Sequence, residues 1–228
     1  MLKVFKDHQE LREAAAAVVA AQGEGAVRRT GVFRLVLSGG RTPEETYRRL
    51  AAPPYRDMSF WRKTQVYWGD ERCVPVESGL RNYTPAKETL LDFVDVPGDS
   101  IFPICADGSA AAESAAMYAR ILPARLDLVL LGVGEDGHIA SLFPRSSALE
   151  ERERRVVCVR APVNPNVRIT LTPIVLREAC FILILVSGVR KAEALKRVFA
   201  AEGDYHETPG RLVRDARWFV DEEAAKLL

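Results

Sequence analysis

Asp127-Leu-Val-Leu-Leu-Gly-Val-Gly-Glu-Asp-Gly-His138-Ile-Ala-Ser-Leu-Phe-Pro144 is the stretch on which the fold turns. Its apolar run, Leu126 to Leu131, has no polar alternation and ends abruptly in glycine. That is the pattern of a strand buried on both faces of a parallel sheet. Gly132, Gly134 and Gly137 then permit a tight turn or a close approach to a ligand. Asp136 and His138 follow just past the strand end, where open α/β sheets place their sites.

Gly132-Val-Gly-Glu-Asp-Gly137 also satisfies the dinucleotide fingerprint G-x-G-x-x-G, but its context argues against that ligand. The third glycine should open a long amphipathic helix, whereas Ile139 to Ser147 is short and interrupted by Pro144. The next strand-like run, Val156 to Arg160, ends in arginine where a ribose-binding acid would stand. No nicotinamide or flavin is expected.

Working outward, Leu2–Phe5 predicts a first strand, and Asp7 caps a helix carrying Leu11, Ala15, Val18 and Val19, with Gly23 and Gly25 marking its end. Val32–Leu37 predicts a strand, followed by the turn Ser38-Gly-Gly-Arg-Thr-Pro43. Thr42 as cap, Pro43 at the first helical position and Glu45 at the third predict a helix there, with free N–H groups that suit an anion. Gln65–Trp68 is a third strand, with Gly69-Asp-Glu-Arg72 after it. Thr84-Pro85 opens a helix bearing Leu90, Leu91 and Phe93, and Ala110 to Leu122 is an alanine-rich helix. Beyond the central loop come strands at Val156–Val159 and Arg168–Thr172 and a short helix from Thr172-Pro173. A second buried strand, Cys180–Val186, ends at Ser187-Gly188, before a helix with Lys191 in its first turn. Pro209–Val213 reads as a loop, Trp218–Val220 as a strand and Asp221–Leu228 as a closing helix. The alternation predicts an α/β fold over 1–228 as one domain: a predominantly parallel sheet covered by helices on both faces, a Rossmann-like three-layer sandwich.

The 228 residues suffice for one such domain, and 48% hydrophobic with 28% charged residues is ordinary for a globular protein. A net charge of +1 provides no field for nucleic acid or an anionic membrane, so neither is expected as a partner. The amino terminus lacks a signal-peptide pattern, and the longest apolar run, Ala179 to Val186, is too short to span a bilayer. Cys73, Cys105, Cys158 and Cys180 form no C-x-x-C pair and read as buried, reduced thiols, so a cytoplasmic protein is expected.

Four strand ends carry chemistry: Ser38-Gly39-Gly40, Asp70-Glu71-Arg72, Asp136-Gly-His138, and Ser187-Gly188 with Lys191. Each has an ordinary alternative: a tight turn, a solvated ion pair, a histidine bonded to a carbonyl, a surface lysine. Parallel strands bring all four to one edge, and four coincidences there are harder to credit than one. A helix N-terminus, an arginine and a lysine suit a phosphate. An acid beside an imidazole, which ordinarily titrates near pH ~6.5, suits proton transfer. No Walker lysine follows Ser38-Gly-Gly, and three scattered histidines predict no metal site.

Ser38-Gly-Gly-Arg-Thr-Pro43, Trp68-Gly-Asp-Glu-Arg72 with Asn82-Tyr83, Gly132 to Pro144, Arg168-Ile-Thr-Leu-Thr172 and Ser187-Gly188 to Lys191 together resemble the 6-phosphogluconolactonases. The likeness runs over nearly the whole chain, including Pro209 to Trp218 and Asp221. It implies hydrolysis of 6-phosphoglucono-δ-lactone to 6-phosphogluconate in the pentose phosphate pathway, without metal or organic cofactor. It makes His138 the general base, with Asp136 orienting or polarising that part of the site. Gly39, Gly40, Arg41, Thr42 and Asp70 would lie near the sugar phosphate, with Arg72, Arg168 and Lys191 as cationic contacts. Glu135 stands where the family usually has proline, Ile139 where threonine is common, and Arg81 where serine often precedes Asn-Tyr. Glucosamine-6-phosphate deaminases share Ser-Gly-Gly and Asp-Gly-His, but there Asp-Gly-His-Ile-Ala continues into Phe-Asn-Glu. Ser141-Leu-Phe143 lacks that acid. A catalytically silent sugar-phosphate sensor on the same fold is the remaining alternative, disfavoured by the complete acid–imidazole–cation set.

Overall fold

A computed structural model of the chain describes residues 1–104 and 110–228. Six parallel strands form the main sheet in the order β1-β9-β8-β5-β2-β3: β1 (Leu2–Phe5), β2 (Phe33–Leu37), β3 (Thr64–Trp68), β5 (Leu128–Leu131), β8 (Ile182–Val186) and β9 (Arg217–Asp221). All four residues of β5 are buried. Since successive side chains point to opposite faces, both faces are covered there. The predicted parallel sheet is thus present, but a second sheet accompanies it.

That sheet has three antiparallel strands in the order β4-β7-β6: β4 (Asp70–Arg72), β6 (Val156–Arg160) and β7 (Val167–Leu171). Gly69 is the switch between the two. Its N–H bonds to Leu37 of the parallel sheet, and its carbonyl accepts from Leu171 of the antiparallel one, both at 2.9 Å. The expected loop at Asp70–Arg72 is therefore a strand, placed edge-on to the site.

Helix α1 (His8–Thr30) starts as expected, with Asp7 accepting from the N–H groups of Gln9 and Glu10 at 2.9 Å. It does not stop at Gly23 or Gly25, and ends instead at Gly31 in the left-handed region (φ 78°). Gly23 is a packing glycine, since a Cβ there would lie 2.6 Å from the Phe60 ring. Helix α2 (Arg41–Leu50) has Gly40 at its cap position, so Thr42 sits inside the first turn and does not cap it. Helix α3 (Tyr83–Ala86) continues into a wider turn over Lys87–Leu91; Leu90 and Leu91 are buried, but Phe93 is exposed. The chain is completed by α4 (Ala111–Ile121), α5 (Pro173–Glu178) and α6 (Ala192–Phe199), the last entered through a 3₁₀ turn at Val189–Lys191. Pro209–Val213 is a 3₁₀ turn rather than a loop.

Residues 222–228 form turns, not the expected closing helix. The Asp221 carboxylate accepts from Ala224 N–H at 2.8 Å but also holds the Ser187-Gly188 turn, so its geometry serves the site. Cys73 is buried, whereas Cys158 and Cys180 are exposed, contrary to expectation; Cys105 lies outside the described residues. Cys158 projects from the solvent side of β6, where alternation governs exposure. Among the described residues no helix is long and apolar enough to cross a membrane.

Candidate active site

Two buried tyrosines finish the strands that open the site. The Tyr47 hydroxyl accepts from Ser38 N–H at 3.0 Å and donates to the Ser38 carbonyl at 2.7 Å, which completes the end of β2. Tyr118 does the same for Trp68 at the end of β3, at 2.7 and 3.2 Å. Burial pushes both phenols up, so they remain neutral donors. Just past these ends lies a cavity of about 860 Å³ lined by Gly39, Gly40, Arg41, Thr42, Asp70, Arg72, His138, Arg168 and Lys191. Of the predicted site residues, only Asp136 stays off its wall, because it sits behind His138.

The His138 turn is held by the backbone. Gly134 N–H donates to the His138 carbonyl at 2.8 Å and Gly137 N–H to Gly134 at 3.0 Å. Any Cβ at Gly134 would meet His138 Nδ1 at 2.1 Å, so only glycine lets the ring fold back over the turn. Asp136 Oδ1 accepts from the His138 backbone N–H at 3.1 Å and faces Nδ1 at 2.5 Å. With Nδ1 carrying the proton, Nε2 is left as the acceptor. Burial tends to raise the Asp136 carboxyl, but the hydrogen bond and charge of His138 hold it below the usual carboxylate range. Phe143 lies against the imidazole, 4.5 Å between ring centroids, and fixes its tilt.

Across the cavity the antiparallel register sets Arg72 directly opposite Arg168. Directly opposed residues share a face, and like charges there are unfavourable. Arg72 donates to the Leu80 carbonyl at 2.6 Å and Arg168 to the Pro165 carbonyl at 2.7 Å. Arg168, only 7% exposed, is pushed down by burial first and by Arg72 second. Lys191 is also pushed down by burial, with the Glu135 carboxylate opposing. Two guanidinium groups and an ammonium therefore face one hollow without a carboxylate ion pair among the described residues. Such a cluster suits a dianion. The α2 N-terminus supplies uncapped N–H groups on the same wall. Arg41, in contrast, is exposed and pairs with Glu45 at 3.4 Å.

Four residues not predicted as site residues, Glu71, Asn82, Ser141 and Asp221, brace the site, together with Asp70, which was. Asp70, 6% exposed, accepts from Ser141 Oγ at 2.5 Å and Asn82 Nδ2 at 3.0 Å. It is thus a brace as well as a wall residue. Asn82 lies so close to Gly39 that a Cβ there would come within 1.9 Å of its Oδ1. The buried Glu71 carboxylate accepts three backbone N–H groups, from Arg72 (2.8 Å), Asn82 (2.6 Å) and Tyr83 (2.9 Å). It closes the loop behind Arg72, so the solvated reading of Asp70-Glu71-Arg72 fails. Asp221 accepts from Ser187 Oγ at 2.6 Å and Gly188 N–H at 3.0 Å, shaping the turn before Lys191. Asn82 and Ser141 lay inside motifs already quoted; Asp221 acts across 34 residues, a separation without a local signal. No group of three or more His, Cys, Asp or Glu side chains among the described residues is arranged to hold a metal ion.

Comparison with known proteins shows the family and the fold. The family described as glucosamine-6-phosphate isomerases/6-phosphogluconolactonase matches residues 6–220. A 6-phosphogluconolactonase of Synechocystis sp. is 34% identical over 239 residues, covering 99% of this chain and 97% of that protein. One from Streptomyces coelicolor is 34% identical over 245 residues, covering 100% and 94%. Among solved structures, a 6-phosphogluconolactonase of Trypanosoma brucei superposes with a TM-score of 0.86 at 29% identity, covering 100% of this chain and 98% of that one. A monomeric glucosamine-6-phosphate deaminase shares the fold at 20% identity, with a TM-score of 0.85 and coverage of 100% and 99%.

Proposed function

The chain belongs to the glucosamine-6-phosphate isomerase and 6-phosphogluconolactonase family, and on that premise we propose that it is a lactonase. It hydrolyses 6-phosphoglucono-δ-lactone to 6-phosphogluconate in the pentose phosphate pathway, with His138 as general base. One observation carries the mechanism: an imidazole whose Nδ1 is bound to Asp136 borders the same cavity as the unpaired Arg72, Arg168 and Lys191 cluster.

The phosphate sits among the three cations and the α2 N-terminus, which directs the ring carbonyl toward His138. Nε2 takes a proton from water as its oxygen attacks the carbonyl carbon. Asp136 stabilises the imidazolium that forms. Collapse of the tetrahedral adduct breaks the bond to the ring oxygen, and the imidazolium returns its proton to that oxygen. Water and lactone thus become a hydroxy acid, whose carboxyl then ionises. Asp70 keeps the wall rigid through Ser141 and Asn82. Phe143 stands where the deaminase-like sequence carries its acid, buried with its ring against His138, which favours lactone opening over deamination. A cytoplasmic setting fits the exposed free thiols Cys158 and Cys180.

The test is the decay of freshly generated 6-phosphogluconolactone with and without the protein, corrected for spontaneous opening. Acceleration at micromolar protein or below is expected. No acceleration, or ammonia release from glucosamine 6-phosphate at a matching rate, would reverse the assignment.

A further inference from the structure

The His138 turn has a second set of holds besides its contact with Asp136. We propose that Glu135 is a positioning residue for His138, gripped by Arg190 and Arg197, so that the base turn and the Lys191 anchor move as one body. The proposal rests on the lactonase reading.

Residues 134–138 contain two glycines and have few intrinsic constraints. Glu135, immediately before Asp136, is held at two points. Its Oε1 accepts from Arg190 Nε at 2.7 Å and from Arg190 Nη2 as well. Its backbone carbonyl accepts from Arg197 Nη2 at 2.8 Å. Arg197 belongs to α6, and Arg190 to the 3₁₀ turn that leads into it. Lys191, the next residue, is the half-buried cation on the cavity wall. Gly210 N–H on the Gly137 carbonyl, at 2.8 Å, fastens the other end of the turn.

An exposed ion pair alone adds little stability, because two long side chains must be ordered in water. Here its partner is a backbone bond to the same residue, and what the two holds determine is position. A displacement of about 1 Å at a reacting group lowers turnover by up to about 10²-fold. The competing role for Arg190 is direct binding of the phosphate, since it too borders the cavity. Its guanidinium grips Glu135 through both Nε and Nη2, however, and that favours the positioning role.

The experiment uses the full chain with Glu135→Ala, Arg190→Ala, Arg197→Ala, the Glu135→Ala/Arg190→Ala double variant, and the reversed pair Glu135→Arg/Arg190→Glu. Three quantities are read: kcat and KM on freshly generated lactone, the Kd of 6-phosphogluconate by calorimetry, and the thermal midpoint. Each single variant is expected to lower kcat about 5- to 50-fold, within the range for misplaced groups, while KM and the product Kd stay within about twofold. The double variant should be no worse than the poorer single one, because both act on one contact. Charge reversal should recover most of the lost kcat, which a merely structural role would not do. A raised KM and product Kd in Arg190→Ala with normal kcat would make Arg190 a phosphate ligand and overturn the proposal. Unchanged kcat in all variants would overturn it too. Absence of hydrolysis by the wild-type protein overturns the functional reading and this proposal together, so the two failures are distinguishable.

Discussion

Asp136→Asn separates charge from orientation at the proposed base. In the wild type a single oxygen, Oδ1, accepts the His138 backbone N–H at 3.1 Å and faces Nδ1 at 2.5 Å. An asparagine must still offer an oxygen to that backbone N–H, and the same oxygen then meets Nδ1. The tautomer survives, and only the charge is lost. A hydrogen bond to a charged acceptor is worth about 1.5–3 kcal/mol and a neutral one about 0.5–1.5. The Asp136 side chain is 41% exposed, so solvent screening keeps the difference near its lower end. About 1 kcal/mol is expected, or about a fivefold fall in kcat. KM should hold, because the cationic anchors are elsewhere. The assay is initial-rate lactone hydrolysis at several pH values with spontaneous opening subtracted. The sign of the pH effect follows from the depressed Asp136 carboxyl. Its ionised form supports His138 above that pKa, and the support is lost as pH falls through it, below the usual carboxylate range. The asparagine variant has no such step. A loss of about 10³- to 10⁴-fold would mean that the amide had turned and imposed the wrong tautomer. An unchanged kcat would remove the carboxylate from the mechanism. Either result refutes the argument.

His138→Asn should lower kcat by about 10²–10⁴-fold, the usual worth of general-base help, with product affinity by calorimetry nearly unchanged; near-normal kcat in a folded variant would make the histidine structural. Arg72→Ala and Lys191→Ala should each raise KM, as loss of a charge-assisted contact worth about 1.5–3 kcal/mol requires; an unchanged KM in both would put the phosphate elsewhere. Because burial depresses Lys191, its charge is present below its lowered pKa and disappears at a lower pH than for an ordinary lysine. Affinity for 6-phosphogluconate should weaken on that alkaline side, and Lys191→Arg should abolish the step. Glu71→Gln should cost about 1.5–3 kcal/mol of stability, measured by urea denaturation, because the amide turns a donor toward one of three backbone N–H groups; equal midpoints would show that the loop is not clamped by this residue.

The parallel sheet and its site-bearing edge were legible because they depend on local pattern. Leu128 to Leu131 and Cys180 to Val186 are uninterrupted apolar runs, and each is followed by glycine or serine. Less legible was anything decided by a partner distant in sequence. Gly23 and Gly25 read as a helix end, but Phe60 gives Gly23 a packing role inside α1. Asp70–Arg72 has the composition of a polar loop. It becomes a strand because β7 arrives about a hundred residues later to pair with it. Thr42 has the chemistry of a cap, yet the left-handed-side backbone of Gly40 (φ 107°) already turns the chain into the helix one residue earlier.

The same long-range pairing explains where the proposed anion site lies. Neither Arg72 nor Arg168 forms a cluster by sequence spacing, and each alone could be a solvated side chain. Gly69 sends the chain from the parallel sheet into the antiparallel one, and the register then fixes Arg72 opposite Arg168. With Arg168 buried, the folded chain bears the cost of two neighbouring guanidinium groups and the desolvation of one. The packing of β7 does not depend on that arrangement, since Ile169 and Leu171 are buried on the opposite face of the strand. In the proposed function, a phosphate dianion between the pair would offset that repulsion on binding. The parallel sheet carries His138, the proposed base, past the end of β5, while the antiparallel sheet carries the opposed arginines. The cavity exists because Gly69 joins the two.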